Sequence, residues 1–194
     1  MTPVSSRTAI TDRPVLDLFA ERWSTRIFDA SAPLDEDAFG SALEAARWAP
    51  SASNTQPWRA VVARRGTAEH QRIMDALMGF NQEWAGSASA LVAFVAEIAR
   101  EDGEPMPWAV YDTGQAAAYF TIQAHAGGLA THQMGGFHRD QVAAAFDIDP
   151  RFEVISVVAV GVLGDPADVS EKIRERENAP RTRRPIAETL IADA

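Results

Sequence analysis

Between Pro107 and Leu129 the chain carries a long stretch that is apolar on most sides of a helix and is closed by Gly127-Gly128 as a C-terminal cap. A helix of that kind has no face reserved for water, so more than one neighbour must cover it. With 194 residues the chain can build one well-filled core and is short for two, which leaves such a helix more apolar than a monomer of this size can bury. The expectation is an α+β sandwich whose long helix also packs against a second copy, a homodimer.

The remaining pattern fills in that frame. Residues 1–13 are polar and without periodicity and read as a flexible arm, followed by one domain over 14–194. Val15, Leu16, Leu18 and Phe19 predict a first helix over Pro14–Trp23, with Pro14 in its first turn. Phe39, Leu43 and Ala46 predict a second over Asp35–Trp48, closed by Pro50. Trp58–Ala63 reads as a short strand, and Thr67–Trp84 as a helix carrying Ile73, Leu77 and Phe80. Ala88–Ile98 is almost continuously apolar, the mark of a central strand covered on both faces. Thr131–Met134 is a short extended piece, Arg139–Phe146 a helix and Phe152–Leu163 a strand. From Asp168 to Glu177 the charges at i,i+4 spacing read as a solvated helix face.

Composition excludes several classes of function. A formal net charge of −9 and a pI near 4.9 argue against nucleic acid or an anionic membrane as the main partner. The absence of cysteine removes disulfides, thiolate nucleophiles, iron–sulfur ligation and cysteine-based zinc sites. His70, His125, His132 and His138 show no metal-ligand spacing, and no metal site is expected. No apolar run of signal-peptide or membrane-spanning length is seen, so a cytoplasmic location is the default.

Against the acidic background, 17 of the 18 basic residues are arginine, and they cluster at Arg22/Arg26 and at Arg181/Arg183/Arg184. Guanidinium groups match phosphate with a planar fork of donors. In Arg22-Trp23-Ser24-Thr25-Arg26 two arginines and a hydroxyl can hold one phosphate; the other possibility is a solvated turn paired to Glu21 or Asp29. Ala49–Trp58 contains Asn54 and Gln56 two residues apart, which in an extended loop face the same side and can read one edge of a flat heterocycle. Pro50 and Pro57 stiffen that loop, although a serine- and asparagine-rich loop can also simply bond to itself.

Taken together, Arg-x-Ser-x-Arg and Ala-Pro-Ser-x-x-Asn-x-Gln-Pro-Trp resemble the FMN-dependent nitroreductase family, over nearly the whole chain. Asn81, Gln133-Met134-Gly135-Gly136-Phe137 and Pro180-Arg181-Thr182-Arg183 agree with it. The resemblance implies a nitroreductase-like α-β-α sandwich with a mostly antiparallel sheet, and an intertwined homodimer binding FMN between subunits. Arg22, Trp23, Ser24 and Arg26, with Arg181 and Arg183, are then implied on phosphate and ribityl. Pro50, Ser51, Ala52 and Ser53 line the ring from the partner's side, while Asn54 and Gln56 read its polar edge. Asn81, Met134, Gly135 and Gly136 lie beside the flavin. No side chain is needed as acid or base, since the cofactor carries hydride from NADH or NADPH to a small electron-poor acceptor (a nitroaromatic, quinone or enone) in ping-pong fashion. Trp84 stands where some members have lysine, and Gly135 where some have glutamate. Flavin-fragmenting or dehalogenating chemistry on the same scaffold, and non-catalytic flavin binding, stay open as alternatives.

Overall fold

The long apolar helix is α4, Ala109–Ala126. Gly128, at a φ of 82°, closes it, with Gly128 N–H donating to His125 O and Leu129 N–H to Ala124 O; glycine takes this left-handed position without a Cβ clash. The inner side of α4 buries Ala116, Ala117, Phe120 and Ala124, while Tyr111 and Tyr119 remain 66% and 46% exposed. The computed structural model describes residues 7–192.

Before α4 come the helices α1 (Asp17–Glu21), α2 (Glu36–Arg47) and α3 (Ala68–Ala76), and the strands β1 (Trp58–Arg64) and β2 (Ala90–Glu97). After it come β3 (Ala130–Met134), α5 (Arg139–Ala145), β4 (Phe152–Gly161), α6 (Glu171–Glu177) and α7 (Ile186–Thr189). The strands form one antiparallel sheet in the order β1-β2-β4-β3.

β2 lies inside the sheet and shows why its sequence lacks alternation: both faces are covered. Leu91, Ala93 and Val95 join a core completed by residues of α3, α5 and α6, while Ala90, Val92 and Phe94 join another completed by α2 and α4. In the second core Phe120 meets Phe39 and Phe94 edge-on, with ring centroids 5.8 and 5.6 Å away. The expected α-β-α sandwich is therefore present. A register shift between Phe94 and Val95 against β4 marks a bulge in the pair. Among the described residues no helix is long and apolar enough to cross a membrane.

Local chemistry explains the boundaries of α2. The Asp35 carboxylate accepts Asp37 N–H and Ala38 N–H at 3.1 and 3.0 Å, a side-chain cap at the first turn. Two expectations need correction. The first helix is a single turn, because Val15, Leu16 and Phe19 find no core to bury them and are 48–67% exposed; Pro14 lies outside it. The helix expected over Thr67–Trp84 stops at Ala76: Leu77 turns extended to bridge Phe137, Gly79 has a φ of 50°, and Gly79–Glu83 form a 3-10 turn. In the tail helix the i,i+4 charges Glu171, Lys172, Glu175 and Arg176 are exposed as expected, Lys172 and Arg176 lying over the Phe80 ring, while Ile173 and Glu177 are buried.

The arm is tied down at its described end. Ala9 N–H donates to Ala20 O, and the Arg7 guanidinium to Ala179 O at 3.3 Å. Residues 1–6 of the expected arm lie outside the described residues.

Candidate functional site

The arginines from the two ends of the sequence meet. Arg181 reaches back to donate to Ala20 O and Arg22 O, both at 2.7 Å, and to Arg7 O. Burial first, and then the neighbouring Arg183 guanidinium, pull Arg22 below the usual arginine range. Arg181 is pulled down in the same way by burial, then by Arg22, Arg7 and Arg183. Among the described residues none of Arg22, Arg181 and Arg183 forms a salt bridge. A chain of net charge −9 thus gathers cations that repel one another and leaves them unneutralised, the electrostatic condition for an anion site.

The segment beyond Arg22 is anchored from several sides. Ser24 bridges Thr131 of β3 in parallel, and the His132 ring donates from Nδ1 to Thr25 O at 2.8 Å, which assigns that nitrogen the proton. Burial holds His132 below the usual imidazole range, so the ring is neutral near pH 7. Trp84, 2% exposed, packs at a tilt against His132, ring centroids 4.5 Å apart, and lies nearly parallel to Phe28 at 6.2 Å. On the other side the buried Glu177 carboxylate accepts the Trp23 indole N–H, the Thr25 hydroxyl and Arg26 N–H at 2.6, 2.8 and 2.9 Å. Half-buried Arg26 also borders a cleft of ≈ 690 Å³ that Phe28, Glu83, Trp84, Ser87 and Ile173 help line.

From the end of β3 the chain enters Gly135-Gly136. Gly136 O accepts both Met78 N–H, at 2.9 Å, and the Asn81 side-chain amide, at 3.1 Å. A Cβ on Gly136 would come within 2.9 Å of Asn81 Nδ2, whereas one on Gly135 would meet nothing within 4 Å. Glycine at 136 permits the close approach of Asn81, and Gly135 presents bare backbone to open space. Asn81 is thereby brought against Gly136, two residues beyond Met134 at the end of β3.

The loop from Pro50 to Gln56 departs from expectation. It is a tight turn, not an extended stretch: Ala52–Asn54 is 3-10, and Ser53, Asn54 and Gln56 all have positive φ, at 52°, 55° and 49°. Asn54 and Gln56 thus do not face one side by strand alternation; instead Gln56 Nε2 donates to Asn54 O. The turn is held by Gln56 N–H to Ser51 Oγ at 3.1 Å and by Ala52 N–H to the buried Asp112 carboxylate at 3.0 Å. Neither Glu177 nor Asp112 stood out among the sequence's candidates, although a carboxylate inside the first turn of an otherwise apolar helix is a signal in itself.

Within one chain this loop and the arginines are far apart. Asp112 holds the loop at the start of α4, while Arg22 acts on His125 at the other end of the helix. Thirteen residues of α-helix separate the two, about 20 Å at 1.5 Å per residue.

An antiparallel sheet between helical layers, with arginines from both ends of the sequence gathered at the start of β3, defines an α+β sandwich carrying a cationic cluster. The chain belongs to the nitroreductase family, whose model matches residues 19–89 and 76–162. It is similar, at 35% identity and a TM-score of 0.88, to a solved oxidoreductase containing FMN, with 96% of this chain and 95% of that one covered. A 15.4 kDa uncharacterised protein of Mycolicibacterium smegmatis is 36% identical over 132 residues, 64% of this chain and 88% of its own. The Bacillus subtilis (strain 168) protein YodC, provisionally named an NAD(P)H nitroreductase, is 25% identical over 192 residues, 81% of this chain and 94% of its own.

Proposed function

We propose that this protein is an FMN-dependent NAD(P)H oxidoreductase that works as a homodimer with two equivalent sites between its subunits. The observation that carries this is the convergence of Arg22, Arg181 and Arg183, none in a salt bridge among the described residues, at the start of β3, the strand that runs on into the open Gly135-Gly136 backbone. The arginines fit a phosphate, and the exposed glycine leaves room for a flat ring. Arg22, Arg26, Arg183 and Ser24 hold the phosphate and ribityl end, while Arg181 chiefly fixes the backbone of Ala20 and Arg22. Asn81 sets the position of the Gly136 carbonyl and so of the strand end beside the ring.

When bound, FMN would supply the hydride chemistry of a ping-pong reaction between NADH or NADPH and a nitroaromatic, quinone or enone. The protein binds, orients and excludes water. The separation of the Pro50–Gln56 loop from the arginines supports a shared site, because a second subunit must bring its own loop to the opposite end of α4. The exposed Trp108, Tyr111 and Tyr119 support the same arrangement, being the aromatic surface such a partner would cover.

Two measurements test this. Purified protein should be yellow or bind added FMN with micromolar or tighter affinity, and NADH or NADPH should bleach the bound flavin rapidly before an acceptor restores the colour. A protein that binds no FMN refutes the assignment, and one that binds FMN without bleaching is a carrier.

A further inference from the structure

Glu177 is 6% exposed and its carboxylate receives three hydrogen bonds, from the Trp23 indole, the Thr25 hydroxyl and the Arg26 peptide N–H. A carboxylate is acceptor-only, and here three donors in one short segment converge on its two oxygens. Trp23–Arg26 is the segment that also carries Ser24 and leads from Arg22 of the cationic cluster to Arg26. Charge alone makes this placement unfavourable, since a buried negative group beside an anion site repels the anion. Geometry offers the compensating role: beside the Ser24 bridge to Thr131, the bond from His132 to Thr25 O and the bond from Arg181 to Arg22 O, those three bonds hold the segment in place.

Resting on the FMN-binding function proposed above, we infer that Glu177 is a positioning residue that sets the preference of this site for a phosphorylated flavin over an unphosphorylated one. It does so by fixing the backbone from Trp23 to Arg26, so that Arg22, Ser24 and Arg26 meet the phosphate together. The flavin ring lies against other elements and is indifferent to it. Repulsion and positioning predict opposite signs for removal of the charge, and this makes the role decidable.

The experiment is titration of the full-length, flavin-stripped protein with FMN and with riboflavin, for the wild type and for Glu177→Gln. The glutamine has the same shape but sets an N–H₂ group against one of the three donors. Positioning predicts that FMN affinity falls about tenfold or more, the effect of losing a charge-assisted hydrogen bond, while riboflavin affinity stays as in the wild type. Unchanged or tighter FMN binding overturns the inference in favour of simple repulsion, and an equal loss for both ligands overturns it in favour of a general structural role. Glu177→Asp keeps the charge but shortens its reach, so it too should lower the FMN-to-riboflavin ratio; an unchanged ratio there also overturns the inference, even if the glutamine variant does not fold. A wild type that binds neither flavin removes the proposed function itself, whereas variants that retain the wild-type ratio remove only the role of Glu177.

Discussion

Replacing Asp112 by alanine separates what the Pro50–Gln56 loop contributes to stability from what it contributes to binding. The carboxylate is 2% exposed and accepts Ala52 N–H at 3.0 Å. Loss of a hydrogen bond to a charged group costs about 1.5–3 kcal/mol. Two effects reduce the net loss: alanine favours the helix by about 0.5 kcal/mol, and Ser53, Asn54 and Gln56, released from positive φ, recover part of a strain of order 1–3 kcal/mol each. The expected net destabilisation is about 1–2 kcal/mol, or roughly 2–8 °C in Tm for a chain of this size. Flavin affinity should fall as well, because the relaxed loop must be driven back into its strained form; a relaxed form favoured by about 0.5 kcal/mol weakens binding roughly twofold. Urea unfolding and FMN titration of the same variant measure both quantities. Full destabilisation with wild-type FMN affinity would show that the loop lies outside the site, and no destabilisation would show that the hydrogen bond holds nothing. Ser53→Gly is the complementary change, since glycine adopts a φ of 52° freely. It should raise stability by up to about 1 kcal/mol without strengthening FMN binding.

Arg22→Ala should weaken FMN binding about ten- to a hundredfold and flatten its dependence on salt; titrations in dilute and concentrated potassium chloride check this, and an unchanged affinity would place the phosphate elsewhere. His70, His125 and His132 are all held below the usual 6.5, chiefly by burial. The unfolded chain therefore takes up their protons first, so stability is whole above about pH 6.5 and is lost as pH falls through the lowered folded values. The urea midpoint should be lower at pH 5.5 than at pH 7.5, with a smaller difference in His132→Gln; a midpoint that rises on acidification contradicts the burial argument. Tyr111→Glu places a charge on the exposed aromatic surface of α4. Light scattering should find a dimer for the wild type and a monomer with weakened FMN binding for the variant.

The elements legible in the sequence are those whose physics is local or whose burial is extreme. β2 is apolar because both faces are covered, α4 is too apolar for water, and α2 is bounded by a capping aspartate and a proline. The arginine clusters were legible because cations stand out in an acidic chain, and Gly135-Gly136 because adjacent glycines are conspicuous after a strand. What escaped is set by long-range partners. Leu77 continues a helical pattern and leaves it only because Phe137 offers a bridge. Glu177 looks like one charge among many until Trp23, Thr25 and Arg26 supply its donors. Positive φ at Ser53 and Gln56 has no signature in residue type, since neither is glycine, and depends on Ser51 and Asp112.

The bonds from Glu177 and Arg181 to the stretch around Arg22 also order events during synthesis. Thr25 waits for a partner 152 positions later, and Ala20 for one 161 positions later. All four strands lie before residue 162, whereas Glu177 and Arg181 lie beyond it, so the stretch around Arg22 is the part of the fold that synthesis can complete last.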